Sequence, residues 1–429
     1  MVSGVTATQP RRFLGLRQME AISGLVLLLR LIYNAQMQRR QTRQIQVGNV
    51  TIGGDAPISV QSMTAGYTHD IDECVAEIHR LTNAGADIVR VAVPEKKDTA
   101  ALPEIISQVS VPIVADVHFH FKRALESIEA GVQKIRLNPG NIGDIEQVNA
   151  VIDACKDAHI PIRIGVNEGS VVERKDKQKR QEELASFFSD RKQGHLLAMM
   201  IAKVEEYLEI FESRDFHDIC LSAKLMDARL VIDIYQELSK RFDYPLHLGV
   251  THAGPRETGS IRSISALGSL LSQGIGDTIR ISYASDTVYE VEDGIELLNC
   301  LNLRTRIGAE LIACPSCGRI QVDLFKLVDD VRKQLENEID IPIKVAVMGC
   351  VVNGPGEAEG ADVAVFAGDR KGIIYVQGER VANVKEDEIL DRLLLECKTL
   401  QERVQKGETT LGEKAVTIVA PITIEGNHT

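Results

Sequence analysis

Tryptophan is absent from this chain and aromatic residues make up only 4% of it, which argues against a surface built to stack on bases or sugar rings. Excess positive charge is also missing. A net charge of −12 at pH 7 opposes non-specific nucleic-acid binding by the molecule as a whole, so an anionic ligand must be met by a local basic cluster inside a cleft. No apolar run is long enough to span a bilayer: Leu25–Leu29 and Leu31–Tyr33 are interrupted by Arg30, and no small-residue cleavage pattern follows them. Evenly spaced cysteine pairs are lacking too. Eight cysteines in 429 residues do not make a disulfide-dense secreted module, and they suit reduced thiols in a cytoplasmic setting.

What the chain does have is apolar content, 44% over 429 residues, ample for the cores of two or three domains. Residues 1–38 read as an extension outside the fold: residues 1–43 hold seven Arg, no Lys and Glu20 as the sole acid. This is the composition of a transit-like segment, of a frayed extension, or of a start placed too early with Met37 as the true first residue. From about residue 45 a single rhythm repeats, a short apolar run, a polar loop and then a helical pattern. The runs are Ile58–Gln61, Ile88–Val91, Ile113–Asp116, Lys134–Leu137, Ile162–Val166, Ile219–Ser222, Leu246–Val250 and Thr278–Ile281. Short and rich in β-branched residues, they predict buried parallel strands. Between the first two, Ile71, Cys74, Val75, Ile78 and Leu81 recur at helical spacing, with Gly85 at the stop. Eight such units predict a (β/α)8 TIM-type barrel over residues 39–303, with a doubly wound open sheet as the fallback. Ile45–Gly54 predicts a hairpin flooring the barrel, turning at Gly48-Asn49, and the charged run Glu173–Glu183 predicts a solvated insertion before an apolar helix through Leu196–Phe211. Residues 304–405 change pattern and predict a smaller α+β domain; residues 406–429 read as a polar tail.

In a barrel of this kind chemistry gathers where strands end. Arg90, Arg136, Arg163, Lys224 and Arg280 come from five different strands onto that rim. Scattered charges would sit on the outer helices; converging ones describe an anion site, because guanidinium forks match phosphate oxygens. Asp116 and His118 leave one strand on the same face, a spacing suited to orienting hydroxyls or moving protons.

The cysteines divide. Cys74, Cys155, Cys220, Cys300 and Cys397 sit within apolar-periodic elements and read as buried small hydrophobes. Cys314-Pro-Ser-Cys317-Gly and the Gly-rich Met348-Gly-Cys350-Val-Val-Asn-Gly-Pro-Gly-Glu357 read as thiolates in loops that can turn backbone N–H groups toward sulfur. Cys314, Cys317 and Cys350 suit either a structural zinc with a fourth ligand or a cubane cluster with one unusual site. No second C-x-x-C completes a zinc ribbon, which favours the cluster.

Several blocks together carry a resemblance. Val60-Gln-Ser-Met-Thr64, Ala115-Asp-Val-His-Phe119, Lys134-Ile-Arg-Leu-Asn-Pro-Gly-Asn141, Arg163-Ile-Gly-Val-Asn167, Leu246-His-Leu-Gly-Val-Thr251, Gly274-Ile-Gly-Asp-Thr278 and both cysteine segments are similar to the 4-hydroxy-3-methylbut-2-en-1-yl diphosphate synthase family of the non-mevalonate isoprenoid pathway, from about Arg40 to about residue 405. The resemblance implies a [4Fe–4S] cluster on Cys314, Cys317, Cys350 and Glu357. It implies reductive ring opening and dehydration of 2-C-methyl-D-erythritol 2,4-cyclodiphosphate, with ferredoxin or flavodoxin as electron donor, in a homodimer where one subunit's cluster closes over its partner's barrel. Arg90, Arg136, Arg163, Lys224, Arg280 and Ser282 are then assigned to binding, and Asp116, His118, Asn138, Asn141, Asn167 and Thr251 to the polar pocket.

One position departs from the family pattern: Thr251-His252-Ala-Gly stands where the family reads Thr-Glu-Ala-Gly, the Glu having an acid–base role. An imidazole also shuttles protons, so His252 is the candidate replacement, with Glu257 as the alternative. The large extra domain of plant-type members is absent, which favours a bacterial-type two-domain enzyme and weakens the transit-segment reading. Two other readings stay open: a zinc-containing barrel enzyme for another phosphorylated or pterin-like substrate, and a catalytically silent iron–sulfur scaffold or sensor.

Overall fold

The computed structural model describes residues 38–117, 120–138, 144–168, 171, 191–350, 358, 360–368 and 370–412. The chain divides into two compact units on either side of Arg304.

The first unit opens with a hairpin of β1 (Ile45–Val47) and β2 (Val50–Ile52), paired Ile45 to Ile52 and Val47 to Val50. Eight parallel strands follow: β3 (Ser59–Met63), β4 (Ile88–Ala92), β5 (Ile113–Asp116), β6 (Lys134–Leu137), β7 (Ile162–Asn167), β8 (Ile219–Lys224), β9 (His247–Leu248) and β10 (Thr278–Ile279). They pair in the order β8-β7-β6-β5-β4-β3-β10-β9. A parallel bridge between Leu221 and Leu246 closes the ring, helped by Leu221 N–H donating to Pro245 O at 2.8 Å. Every expected strand run is found, within two or three residues at its ends.

Seven of these strands lead into described helices: α1 (Ile71–Asn83), α2 (Lys96–Gln108), α3 (Phe121–Glu129), α4 (Ile145–Ala158), α5 (Arg191–Ser213), α6 (Ala228–Arg241) and α7 (Arg256–Leu271). The eighth leads into α8 (Thr287–Cys300). In α1, Cys74, Val75, Ile78 and Leu81 are buried, the i, i+4, i+7 stripe that packs a helix on a sheet. The charged insertion Glu173–Glu183 lies outside the described residues. In α5, Met200, Val204, Tyr207, Leu208 and Phe211 are buried as the periodicity predicts.

Alternation along each strand separates two environments. Outward residues such as Val89, Val91, Ile113, Ala115, Ile135, Leu137, Ile162 and Ile164 form the main core with the helices. Inward residues Ile88, Val114 and Cys220 instead pack on Ile45, Val47 and Ile52 of the hairpin, which plugs the N-terminal end of the barrel as the sequence suggests.

In the second unit β11 (Glu310–Ala313), β12 (Lys344–Met348) and β13 (Val363–Gly368) run parallel, and β14 (Lys371–Val376) and β15 (Glu379–Lys385) continue the sheet antiparallel. Helices α9 (Leu324–Glu338) and α10 (Ile389–Gln405) cover one face, burying Val331, Leu335, Leu393 and Leu400 against Val345, Val347, Val363 and Val365. Strand β15 has no counterpart in the sequence pattern. Its side chains are mostly exposed, so it lacks the apolar alternation that marks a strand.

Candidate functional site

Tracing the parallel registers once around the ring sorts the inward residues into layers of four from alternate strands, as barrel geometry requires. Above the hairpin lies Ile88, Lys134, Cys220 and Thr278. Next come Gln61, Val114, Arg163 and His247, then Arg90, Arg136, Ser222 and Arg280, then Met63, Asp116, Gly165 and Gly249. Ala92, Asn138, Lys224 and Ser282 face the mouth. Barrels usually fill these layers with Val, Ile and Leu; this one fills them with cations.

Arg90 and Arg136 share Asp116, at 3.6 Å (Nε to Oδ2) and 3.3 Å (Nη1 to Oδ1). Arg280 lies 3.6 Å from Glu290 on α8, and Glu290 also accepts from Tyr283 N–H at 3.0 Å. Arg90 Nε and Nη2 also donate to the thioether of Met63, at 3.1 Å and 2.9 Å, and Arg280 Nη1 donates to it at 3.7 Å. Sulfur of this kind is a weak acceptor, so a phosphate oxygen arriving here exchanges a poor partner for a strong one.

Two glycines make the room. A Cβ on Gly165 would stand 3.0 Å from Arg136 Nε, and one on Gly249 would stand 2.5 Å from Lys224 Nζ and 2.8 Å from Arg280 O. Every larger residue would displace a cation.

Burial dominates the electrostatics. It lowers the pKa of Arg90 well below the ordinary guanidinium value, with Asp116 opposing and Arg280, Arg163 and Arg136 adding. It lowers Lys224 well below the lysine value, with Arg163, Arg280, Arg90 and Arg136 pushing the same way. Arg163 falls to about 10 for the same first reason. Such depressed values record positive charge that wants an anion.

The expected site residues are thus placed unevenly. Arg90, Arg136 and Arg280 share a layer; Lys224, Asn138 and Ser282 stand at the mouth. Tyr207 OH donates to Asn138 Oδ1 at 3.2 Å, and Ser282 Oγ donates to Val250 O at 3.3 Å. Arg163 is not on the rim. It lies one layer below, only 2% exposed, because it is the second residue of β7 while Asn167 ends that strand. Thr251 and His252 follow β9, their side chains 3.3 Å apart (Oγ1 to Nδ1). His252 is exposed and held at φ +53°, a left-handed conformation in which a non-glycine residue invites a functional question. Glu257 is exposed in the first turn of α7. His118, Asn141 and Glu357 lie outside the described residues. Sequence reasoning missed Met63 as the sulfur between two guanidiniums, Glu290, and Lys134 deep in the barrel. Lys134-x-Arg136-x-Asn138 alternation on one strand was the available signal for Lys134.

In the second unit Cys314 and Cys350 follow the C-terminal ends of the adjacent parallel strands β11 and β12, and Gly349 N–H donates to Cys314 Sγ at 3.2 Å. Cys317 is exposed in the loop after β11. Among the described residues no three His, Cys, Asp or Glu side chains are gathered for a metal, and no cysteine forms a disulfide. The donor set still fits thiolate-bound iron: three soft sulfurs at or beyond strand ends, one already receiving a backbone N–H. Cys74, Cys155, Cys220 and Cys397 are buried as expected. Cys300 is not; as the last residue of α8 it faces solvent, its Sγ 3.4 Å from Glu296.

The family model of the GcpE TIM-barrel domain matches residues 42–295, and that of the GcpE protein C-terminal domain matches residues 310–399. The 4-hydroxy-3-methylbut-2-en-1-yl diphosphate synthase (flavodoxin) of Symbiobacterium thermophilum is 47% identical over 358 residues, spanning 83% of this chain and 93% of that protein. The 4-hydroxy-3-methylbut-2-en-1-yl diphosphate synthase (flavodoxin) 2 of Streptomyces coelicolor is 45% identical over 383 residues, spanning 89% and 95%, and the 4-hydroxy-3-methylbut-2-en-1-yl diphosphate synthase (flavodoxin) of Geobacillus thermodenitrificans is 44% identical over 367 residues, spanning 85% and 94%. Among solved structures, Yersinia pestis dihydropteroate synthase aligns over 62% of this chain and 98% of its own at 12% identity, with a TM-score of 0.42, too low to support a comparison.

Proposed function

The chain belongs to the GcpE family, whose relatives are 4-hydroxy-3-methylbut-2-en-1-yl diphosphate synthases, and we propose from that premise that it reductively opens 2-C-methyl-D-erythritol 2,4-cyclodiphosphate with loss of water to the linear allylic diphosphate. The observation that carries this reading is the barrel interior, where Arg90, Arg136, Arg163, Lys224 and Arg280 face inward against Asp116 and Glu290 as the acids paired with them. A diphosphate supplies the missing negative charge.

Breaking one carbon–oxygen bond to phosphate and one to hydroxyl on neighbouring carbons, to leave a double bond, consumes two electrons and releases the hydroxyl as water once it is protonated. A [4Fe–4S] cluster held by Cys314, Cys317, Cys350 and Glu357 would supply electrons and a Lewis-acidic iron. The rest falls to the barrel. Arg90, Arg136 and Arg280 grip phosphate oxygens and hold down the charge that builds as electrons enter. Lys224 and Ser282 bind at the mouth, while Asn138, Asn141, Asn167 and Thr251 orient hydroxyls, and Asp116 fixes the two guanidiniums it bridges. His252, hydrogen-bonded to Thr251, holds a proton for the departing hydroxyl, with His118 as a second candidate for moving protons. The electron donor is a flavodoxin, the donor printed in the relatives' names, and the working form is a homodimer in the cytoplasm. Among the described residues no helix is long and apolar enough to cross a membrane.

Anaerobic purification with iron and sulfide analysis, followed by turnover of the cyclic diphosphate under a chemical reductant, tests the proposal. A brown protein absorbing near ~400 nm that forms the linear diphosphate supports it. A colourless zinc protein, or a brown protein without turnover, would favour the zinc enzyme or the silent scaffold instead.

A further inference from the structure

Among the described residues no carboxylate pairs with the buried Lys134 ammonium. It is 0% exposed, and among the described residues its Nζ has no hydrogen-bond partner. Its layer holds Ile88, Cys220 and Thr278, and the apolar hairpin seals the barrel beneath. The layer above presents another cation, Arg163, whose Nε and Nη2 also have no partner, together with Gln61 and His247, whose side-chain polar atoms have none either. Asp277, the acid near this floor, is committed to Arg39 at 3.2 Å, Thr42 at 3.1 Å and Leu246 N–H at 2.8 Å. Asp116 is committed to Arg90 and Arg136, and Glu290 to Arg280. A buried ammonium left in this state is strongly unfavourable; it must find a counter-charge or give up its proton.

The counter-charge is available in one state only. Lys134 lies two residues below Arg136 on β6, about 6–7 Å along the strand, so a diphosphate seated on the guanidinium layer stands over it through a low-dielectric interior where charges act strongly. We propose that Lys134 is a positioning residue beneath the diphosphate site, which takes up a proton as the diphosphate settles above it and so couples affinity to pH. This rests on the diphosphate reading of the barrel. Burial is the largest influence and lowers the Lys134 pKa; the Cys220 thiol on β8 comes next and raises it, and Arg163 on β7 and Arg90 on β4 lower it, leaving it at about 8. His247 on β9 and Lys224 on β8 are themselves held below their ordinary values by burial and by these same cations. Arg136 on Lys134's own strand and Arg280 on β10 complete the field. An arriving anion reverses that field, so the bound-state value rises and protons are taken up above pH 8. Affinity is then greatest below pH 8 and falls as pH rises through that value.

The test is calorimetric titration of the cyclic diphosphate into the full-length protein, in buffers of different ionisation enthalpy, at pH 7 and pH 8.5. Each phosphorus of that ligand is linked on both sides, so the ligand itself does not titrate in this range. Wild type should take up roughly half a proton more than Lys134→Met at pH 8.5. Lys134→Met should bind about 5- to 20-fold more weakly at pH 7, the gap narrowing toward pH 9.5. Lys134→Arg, charged throughout, should keep the neutral-pH affinity, lose the extra uptake and hold its affinity at high pH; it also carries the test should Lys134→Met not fold. Equal uptake in wild type and variants, or a gap that does not change with pH, would overturn the inference alone. Failure of the wild type to bind the cyclic diphosphate would overturn the diphosphate reading beneath it.

Discussion

The two units hold their functional residues in opposite ways. In the barrel, the cations are built into the strands: Arg90, Arg136 and Arg163 lie inside β4, β6 and β7, with backbone registers fixed by neighbours on both sides. In the second unit, Cys314 and Cys350 come after β11 and β12 have ended, and Glu357 lies outside the described residues. The barrel therefore presents its charge whether or not a ligand is present, and carries the electrostatic strain that this entails. On the proposed reading, the cysteine loops would take their final arrangement from the iron they bind, as metal ligands commonly do. On that proposal anion recognition is preorganised, whereas iron binding would be coupled to local folding.

Breaking either side should therefore leave the other standing. The largest effect is expected for Cys350→Ser, which should lower turnover by at least about 10³-fold, as loss of a required cofactor does, with iron content falling and affinity of the barrel for the cyclic diphosphate changing far less. Iron analysis and calorimetry on the same preparation separate the two. Arg136→Met should do the reverse, weakening diphosphate binding about 10²-fold, since a buried charge partner is lost and Asp116 no longer bridges two guanidiniums, with iron content unchanged.

His252→Ala should lower the turnover number about 10²-fold, the lower end for a lost proton donor, and affinity by little. His252→Glu should restore much of the rate with a more acidic pH profile. Retention of near-normal turnover in the alanine variant would end the acid–base assignment. Gly249→Ala should cost about tenfold in diphosphate affinity, as its Cβ would stand 2.5 Å from Lys224 Nζ and push that ammonium off its position.

The smallest effect concerns stability. Burial, partly offset by Cys220 and reinforced by Arg163 and Arg90, depresses the Lys134 pKa in the folded chain to about 8 from 10.5, so the unfolded chain binds more protons between those values. Stability of the ligand-free protein should then rise with pH across that window relative to Lys134→Met, a shift in Tm of a few degrees on thermal unfolding.

Most of this architecture was legible because β-strands write their exposure in alternate residues. The eight short runs, the flooring hairpin and the inward-facing arginines all follow from that period. What no single strand records is its height relative to its neighbours. Arg163 therefore looked like a rim residue although the register sets it one layer down, and Lys134 passed for part of an apolar run. His252 was found only as a departure from a family pattern, and its left-handed backbone is a property of the fold. Edge strand β15 escaped because an exposed strand has no apolar alternation to display, and Cys300 was misplaced because helical periodicity says little about the last residue of a helix.

Product analysis of the anaerobically purified, iron-loaded protein, supplied with the cyclic diphosphate and reduced flavodoxin, bears most directly on the division between the two units. The expected result is the linear allylic diphosphate at one equivalent per two electrons consumed, abolished by Cys350→Ser in spite of retained ligand binding. An iron-loaded wild-type protein that binds the cyclic diphosphate yet consumes no electrons would contradict it.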